Sequence, residues 1–310
     1  MVKFKKIIPL LAAALLLTGC VDQHPDGSAS GGSQTGEQRI IATSTAAQSI
    51  CEKLDLDLIA TNKTEKPLER YAGLPEVGTA MAPDTEAIAL LEPTDVIGPN
   101  TLEESIQPAY EAAGVPSTFL DLQSVEGMYQ SIAMLGEKYG RKAQADALIA
   151  EYEQIMDDFN QSIQGKERPR VLVLMGLPGS YIACTPNSYV GSLVELAGAE
   201  SVVRDETLNF VSWNTEELLK LNPDVILLTA HGMPEMAMSM FAEEFATNDI
   251  WQHFPAVQEG RVYQLDYSTF NMSCDFSWPE ALNTLKGLFY EGAGQTFEGV
   301  LAGDSSQPAA

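Results

Sequence analysis

Short β-branched runs alternate with stretches of helical spacing, then the alternation breaks off and starts again. "RIIATST" is followed by "AAQSICEKLD", and "LDLIAT", "TEAIALLEP", "TDVIGP", "TLEESIQPAYEAAGV" and "PSTFLDL" carry the pattern to about residue 124. It resumes at "RVLVLMG" and runs through "SLVELAGA", "NTEELLKL", "DVILLT", "EMAMSMFAEEFA", "RVYQLD" and a last helix at "WPEALNTLKGLFYEG". Strands alternating with helices bury both faces of a parallel sheet. Between the runs, residues 125–166 carry no strand signal. Gly136 and Gly140 divide this stretch into a shorter and a longer helix. On the longer one Ala147, Leu148, Tyr152, Ile155, Met156 and Phe159 recur at three- and four-residue steps, an amphipathic stripe. The chain is therefore expected to form two Rossmann-like α/β lobes with parallel sheets, at 39–124 and 167–292, joined by one long α-helix.

The ends lie outside that frame. Lys3, Lys5 and Lys6 precede the apolar run "IIPLLAAALLL", too short to span a bilayer and closed by "LTGC". Small residues directly before a cysteine resemble a bacterial lipobox, so residues 1–19 read as a lipoprotein signal peptide and Cys20 as the lipidated first residue. Residues 20–38 are a flexible tether rich in Gly, Ser and Gln, and 293–310 read as a disordered tail. The formal charge of −25 becomes more negative once the three leader lysines are removed. Such a surface repels nucleic acid and anionic lipid, leaving acyl chains as the only membrane contact. Cys51, Cys184 and Cys274 remain, without a C-x-x-C spacing. One disulfide with a free thiol, or three buried thiols, are both open.

The chain has three histidines. His24 lies in the tether, and His253, within "NDIWQHFPAV", reads as a packed connector. His231, in "TAHGMPEM", sits at the carboxyl end of a buried-type strand, before a helix whose first turn holds Pro234 and Glu235. Open α/β folds bind ligands at that end of their strands. In the first lobe "EVGTAMAPDTEA" places Met81 on a loop of small residues, before a helix starting near Pro83, and away from any apolar stripe. An imidazole and a thioether suit haem iron, with one axial ligand on each face. A bare zinc or manganese ion would need three or four His, Asp or Glu ligands, which two usable histidines do not supply. Spacing alone carries the pair no further than a metalloligand site.

An internal echo links the lobes: "TEAIALLEPTDVIG" (85–98) and "TEELLKLNPDVILL" (215–228) match with one residue slipped at the proline. Enzyme signatures are lacking: there is no G-x-S-x-G, Walker loop or H-E-x-x-H. Cys184 as a nucleophile would have only His231 or His253 as base. The sequence therefore reads as a binding protein.

Several segments carry a family resemblance. "RVLVLMGLPGSYIACTPNSYVGSLVELAGAESVV", "LNPDVILLTAHGMPEM", "FAEEFATNDIWQHFPAVQEGRVYQLD" and "EVGTAMAPDTEA" resemble the IsdE family, haem-receptor lipoproteins of the iron-regulated surface determinant system. The resemblance runs over residues 39–290. It implies the class III periplasmic-binding-protein fold and a monomer that captures one haem b outside the cell and passes it to an ABC permease. It also implies a lipid-anchored place on the outer face of the cytoplasmic membrane. Met81 and His231 would be the axial iron ligands. Thr45 and Ala46, at the first strand–helix turn, and Thr64 and Glu65, after the second strand, would contact the porphyrin. The latter loop departs from the family, with Thr-Glu in place of Ser-Tyr and one residue fewer; the Glu65 carboxylate, repelled by a propionate, should point away. Glu86 and Glu216, matched in the echo, would dock on permease arginines. A ferric siderophore or cobalamin is the alternative cargo. Anionic siderophores call for clustered Arg or Tyr, which neither loop supplies.

Overall fold

The computed structural model describes residues 38–65 and 67–299. The leader, Cys20 and nearly all of the tether fall outside the described residues, as do residues 300–310.

The first sheet is built from β1 (Ile40–Ala42), β2 (Leu58–Thr61), β5 (Asp95–Pro99) and β6 (Ser117–Leu120), ordered β2-β1-β5-β6 and parallel throughout. Between β2 and β5 stands a two-stranded hairpin, β3 (Gly78–Thr79) and β4 (Ala82–Pro83). Helices α1 (Thr45–Lys53), α2 (Thr85–Leu90) and α3 (Glu103–Ala112) connect the strands. The link follows as α4 (Val125–Tyr139) and the longer α5 (Lys142–Ser162). Gly136 does not break α4, contrary to the sequence expectation. A Cβ there would stand 2.5 Å from the Ala145 Cβ of α5, so the glycine permits close packing of the two helices. Gly140, in the left-handed region at φ 66°, ends α4.

The second sheet comprises β7 (Arg170–Leu177), β8 (Ser180–Cys184), β9 (Glu200–Ser201), β10 (Phe210–Val211), β11 (Val225–Ala230) and β12 (Val262–Gln264). Its order is β10-β8-β7-β11-β12, with β9 also beside β7. The strands β7, β9, β11 and β12 are parallel, but β8 and β10 form an antiparallel edge. That edge departs from the expected all-parallel sheet because Pro178-Gly179 reverses the chain into a hairpin, with Gly179 at φ 77°. Helices α6 (Tyr189–Leu196), α7 (Thr215–Lys220), α8 (Pro234–Thr247), α9 (Pro255–Gln258) and α10 (Trp278–Tyr290) complete the chain. The packed chain continues beyond 292: the Phe297 amide donates to Val262 O at 2.7 Å and its buried ring lies by Phe245. A buried aromatic gives residues 293–299 a place that their polar composition hides.

One apolar cluster crosses from sheet to sheet. It takes in Ile40, Ile97 and Leu120 from the first and Val171, Val173, Met175 and Leu227 from the second, with α4, α6 and α10 between them. Tyr129 stacks on Tyr152 at 4.5 Å, and the Trp278 indole N–H donates to the Tyr129 hydroxyl at 3.2 Å. The chain returning before α10 is tied to the start of the link, with the Cys274 amide donating to Leu122 O at 2.8 Å. Cys51, Cys184 and Cys274 are all buried free thiols, which settles the open pairing.

The internal echo is structural, and it needs no slip. Glu92 and Asn222, at φ 45° and 48°, end α2 and α7, and a proline follows each. Arg39 Nη2 donates to Leu91 O at 2.6 Å, and Arg170 Nη2 to Leu221 O at 2.8 Å. The Thr94 amide donates to Arg39 O and the Asp224 amide to Arg170 O. Thr94 thus matches Asp224, and the shared Asp-Val-Ile is out of register by one. Asp95 instead lies buried in β5, where Thr118, Lys138 and Tyr139 bind its carboxylate.

Candidate functional site

His231 begins where β11 ends. Its amide donates to Gly176 O at 3.0 Å, extending the β11–β7 pairing one residue into the turn. Gly232 (φ 70°) and Met233 (φ 42°) then swing the chain into α8. The imidazole is half-buried, and its Nδ1 is enclosed without a hydrogen-bond partner among the described residues. Buried polar atoms are nearly always paired, so an orphaned ring nitrogen calls for an explanation. With Nδ1 enclosed, Nε2 is the ring nitrogen left for a metal, though Nδ1 itself gains no partner from such a bond.

Met81 occupies the two-residue turn of the β3–β4 hairpin and is 68% exposed. The hairpin replaces the loop expected there, and α2 starts at Thr85 behind the Asp84 cap, two residues later than Pro83. Gly78 makes the hairpin feasible: at φ 85° a Cβ would fall 2.5 Å from Ala82 O. The Lys63 amide donates to Gly78 O at 2.6 Å and the Val77 amide to Thr61 O at 2.9 Å, so the hairpin is pinned to the carboxyl end of β2.

That end of the first sheet also gathers the other expected contacts. Thr45 and Ala46 open α1; the Ser44 side chain accepts from the Ala47 amide, and the two residues before it lie in the turn where helix amides have no internal acceptors. Thr45 Oγ1 donates to Thr64 Oγ1 at 3.5 Å. Gln48 Nε2 donates to Asn62 Oδ1 at 2.6 Å in a buried tie that holds the loop after β2 against α1. Glu65 is exposed. The sequence reading passed over Lys63, an exposed cation beside Thr64 in this acidic chain. It also passed over Met233 and Met236, which flank the His231 turn at 63% and 53% exposure. The signal for them was their spacing from His231 in "HGMPEM".

The remaining candidates lie apart from these turns. Glu86 and Glu216 are exposed in the first turns of α2 and α7. His253 closes a short 3₁₀ turn (Asp249–His253) and is exposed, while its neighbours Trp251 and Phe254 are the packed residues. Burial pushes the Cys184 thiol up to about 12, with a hydrogen bond to Ser188 opposing it weakly. At neutral pH it is a thiol, not a nucleophile. Among the described residues no three His, Cys, Asp or Glu gather to hold a bare ion. A groove of about 550 Å³ between Gln264–Asp266 and Gln295–Glu298, and one of about 310 Å³ beside Tyr181 and Trp213, are lined by neither His231 nor Met81.

Residues 40–269 match the periplasmic binding protein family. The chain is 38% identical over 289 residues to the high-affinity heme uptake system protein IsdE of Staphylococcus aureus (strain Newman), covering 93% of this chain and 98% of that protein. Its structure is similar to an ABC transporter substrate-binding protein from Listeria monocytogenes EGD-e, with TM-score 0.79, 41% identity, and 83% and 100% of the two chains covered. The crystal structure of S. aureus IsdE complexed with heme matches with TM-score 0.77 at 40% identity, over 82% of this chain and all of that one. At 21% identity, a periplasmic heme binding protein from Pseudomonas aeruginosa shares the fold, with TM-score 0.64. Two α/β lobes bridged by helix and this sequence identity have one common account: the chain belongs to the periplasmic binding protein family, class III in fold, in the group of IsdE.

Proposed function

We propose that this chain is a haem-binding lipoprotein that takes up haem outside the cell and presents it to an ABC permease. The observation that carries the reading is the pair of ligands offered at the carboxyl ends of two different sheets. One is a thioether held out to solvent on a glycine-dependent hairpin; the other is a half-buried imidazole on the turn that follows β11. Met81 and His231 bind the iron axially from opposite sides in this reading, with one haem b per monomer. The turn opened by Thr45 and Ala46 offers amides to a propionate, and a helix start favours an anion there. Thr64 lies with them, Lys63 supplies the opposing charge, and Glu65 contributes backbone only. Residues 1–19 are removed, Cys20 carries the acyl chains, and the tether lets the two lobes work above the outer face of the membrane. Glu86 and Glu216 meet the permease.

No reaction follows from this arrangement. The chain binds, orients and releases. Hemin added to the purified leaderless protein is expected to give a sharp Soret band and low-spin visible bands. Met81→Ala and His231→Ala each alter those bands, because each removes one strong axial field. Spectra identical to the parent in both variants remove these two residues from the site. The absence of any Soret shift with hemin turns the reading toward a siderophore or cobalamin.

A further inference from the structure

Four non-glycine residues among those described adopt a left-handed backbone: Asp55, Glu92, Asn222 and Met233. Three of them do ordinary work. Asp55, Glu92 and Asn222 each follow the residue that caps the carboxyl end of a helix, and their amides close its final turn onto Glu52, Ala89 and Leu219 carbonyls. Met233 does the opposite. It stands at the start of α8, at φ 42° and ψ 56°, with no side-chain hydrogen bond to the helix amides. In five other helices this position is filled by Ser44, Asp84, Ser124, Ser188 or Asn214, each extended in backbone and accepting from a first-turn amide; α3, α5, α9 and α10 also start without a side-chain cap, but none of them from a left-handed residue. Met233 therefore forgoes the cap and takes a conformation that an L-residue with a Cβ adopts only at a cost. Glycine would fit the backbone and asparagine the cap. Strain held at a special position without a local return is characteristic of functional sites.

What the conformation yields is a thioether in water. Met233 is 63% exposed two residues after His231, and Met236, three residues into α8, is 53% exposed. Methionine is a flexible, polarisable apolar surface that packs well on aromatic planes. Resting on the haem reading, we infer that Met233 is a haem-contact residue. Its side chain packs on the porphyrin from the His231 side, with Met236 extending the apolar wall, and neither sulfur binds the iron. The His231 turn then serves two purposes: its imidazole holds the metal and its methionine holds the ring.

The test measures the rate of haem loss from the loaded protein to excess apomyoglobin, beside the visible spectrum and the melting temperature of the haem-free protein. Met233→Ala is expected to speed haem loss roughly fivefold, in the range that sulfur–aromatic packing supplies, while the Soret and low-spin bands keep their positions. Met233→Leu restores an apolar side chain and keeps the rate within about twofold of the parent. Met233→Gly relaxes the backbone at some entropic cost in the unfolded chain, so the melting temperature stays within about 2 °C; haem loss still accelerates. Haem loss at the parent rate in both the alanine and glycine variants overturns the contact. So does a shift of the bands in either, which makes Met233 a ligand and not a wall. If Met81→Ala and His231→Ala leave the spectrum unchanged, the haem reading itself fails, and that outcome is separate from the Met233 result.

Discussion

At the residue scale the clearest determinants are small. Gly78 lets the Met81 hairpin close, and the buried Gln48–Asn62 pair fixes the loop beside Thr45. Both could be read only in part from the chain. "VGTAMAPD" announces a turn of small residues, but an amide–amide tie between residues fourteen apart leaves no periodic signal. The buried thiols carry a pH consequence. Burial, with the Asp95 charge adding to it, raises Cys51 from 9.0 to about 12, and burial raises Cys184 from 9.0 to about 12. A folded pKa above the unfolded one means the unfolded chain gives up its proton first as pH rises. These thiols thus contribute stability that is complete below pH 9.0 and lost as pH climbs towards about 12. Urea midpoints measured from pH 7 to 11.5 should stay level to about 9 and then fall, with a gentler fall in Cys51→Ala. An identical slope in parent and variant would contradict the assignment. The same burial predicts that a thiol reagent at pH 8 labels none of the three in the native protein and all of them in urea.

At the element scale, α2 and α7 are the repeated unit, each braced by an arginine at the start of its own lobe's first strand, Arg39 just before β1 and Arg170 opening β7. Their first-turn glutamates, Glu86 and Glu216, hold equivalent places on two elements of one design. Surface ion pairs are weak singly and sensitive to salt, so docking through them should show as a joint effect. Charge reversal to Lys at both positions is expected to abolish haem uptake in cells while hemin binding by the purified protein is unchanged. Uptake at the parent level would remove the two residues from the permease contact. These two helices and the strands that follow them were legible because each helix pairs a hydrophobic period with a side-chain cap, Asp84 or Asn214. The antiparallel edge was not, since β8 and β10 are short and "LPGS" is the only local sign of the reversal. Gly136 misled for a related reason: a helical glycine can mark a break or a close neighbour, and only the position of Ala145 decides.

At the scale of the whole molecule, both sheets share one apolar cluster, stitched by α4, α6, α10 and the Tyr129–Tyr152–Trp278 group. A hinge cutting through such a core would expose buried aromatic surface at about 25 cal/mol per Å², so wide opening is disfavoured. Small-angle scattering with and without hemin is expected to give radii of gyration within roughly 0.5 Å of each other, about the scale of thermal displacement in a rigid protein. A contraction of several ångström on loading would show that the lobes swing. The two-lobe plan was legible because alternation stops and restarts. That the lobes are fused was hidden, because the contacts joining Leu122 to Cys274 and Tyr129 to Trp278 span about half of the chain.

Those long-range contacts also bear on the order of events in synthesis. The face of α4 that carries Tyr129 meets Tyr152 of α5 early, but it is not closed over until Trp278 has been made. A nascent chain thus lacks the piece that completes this core until nearly its whole length has been made.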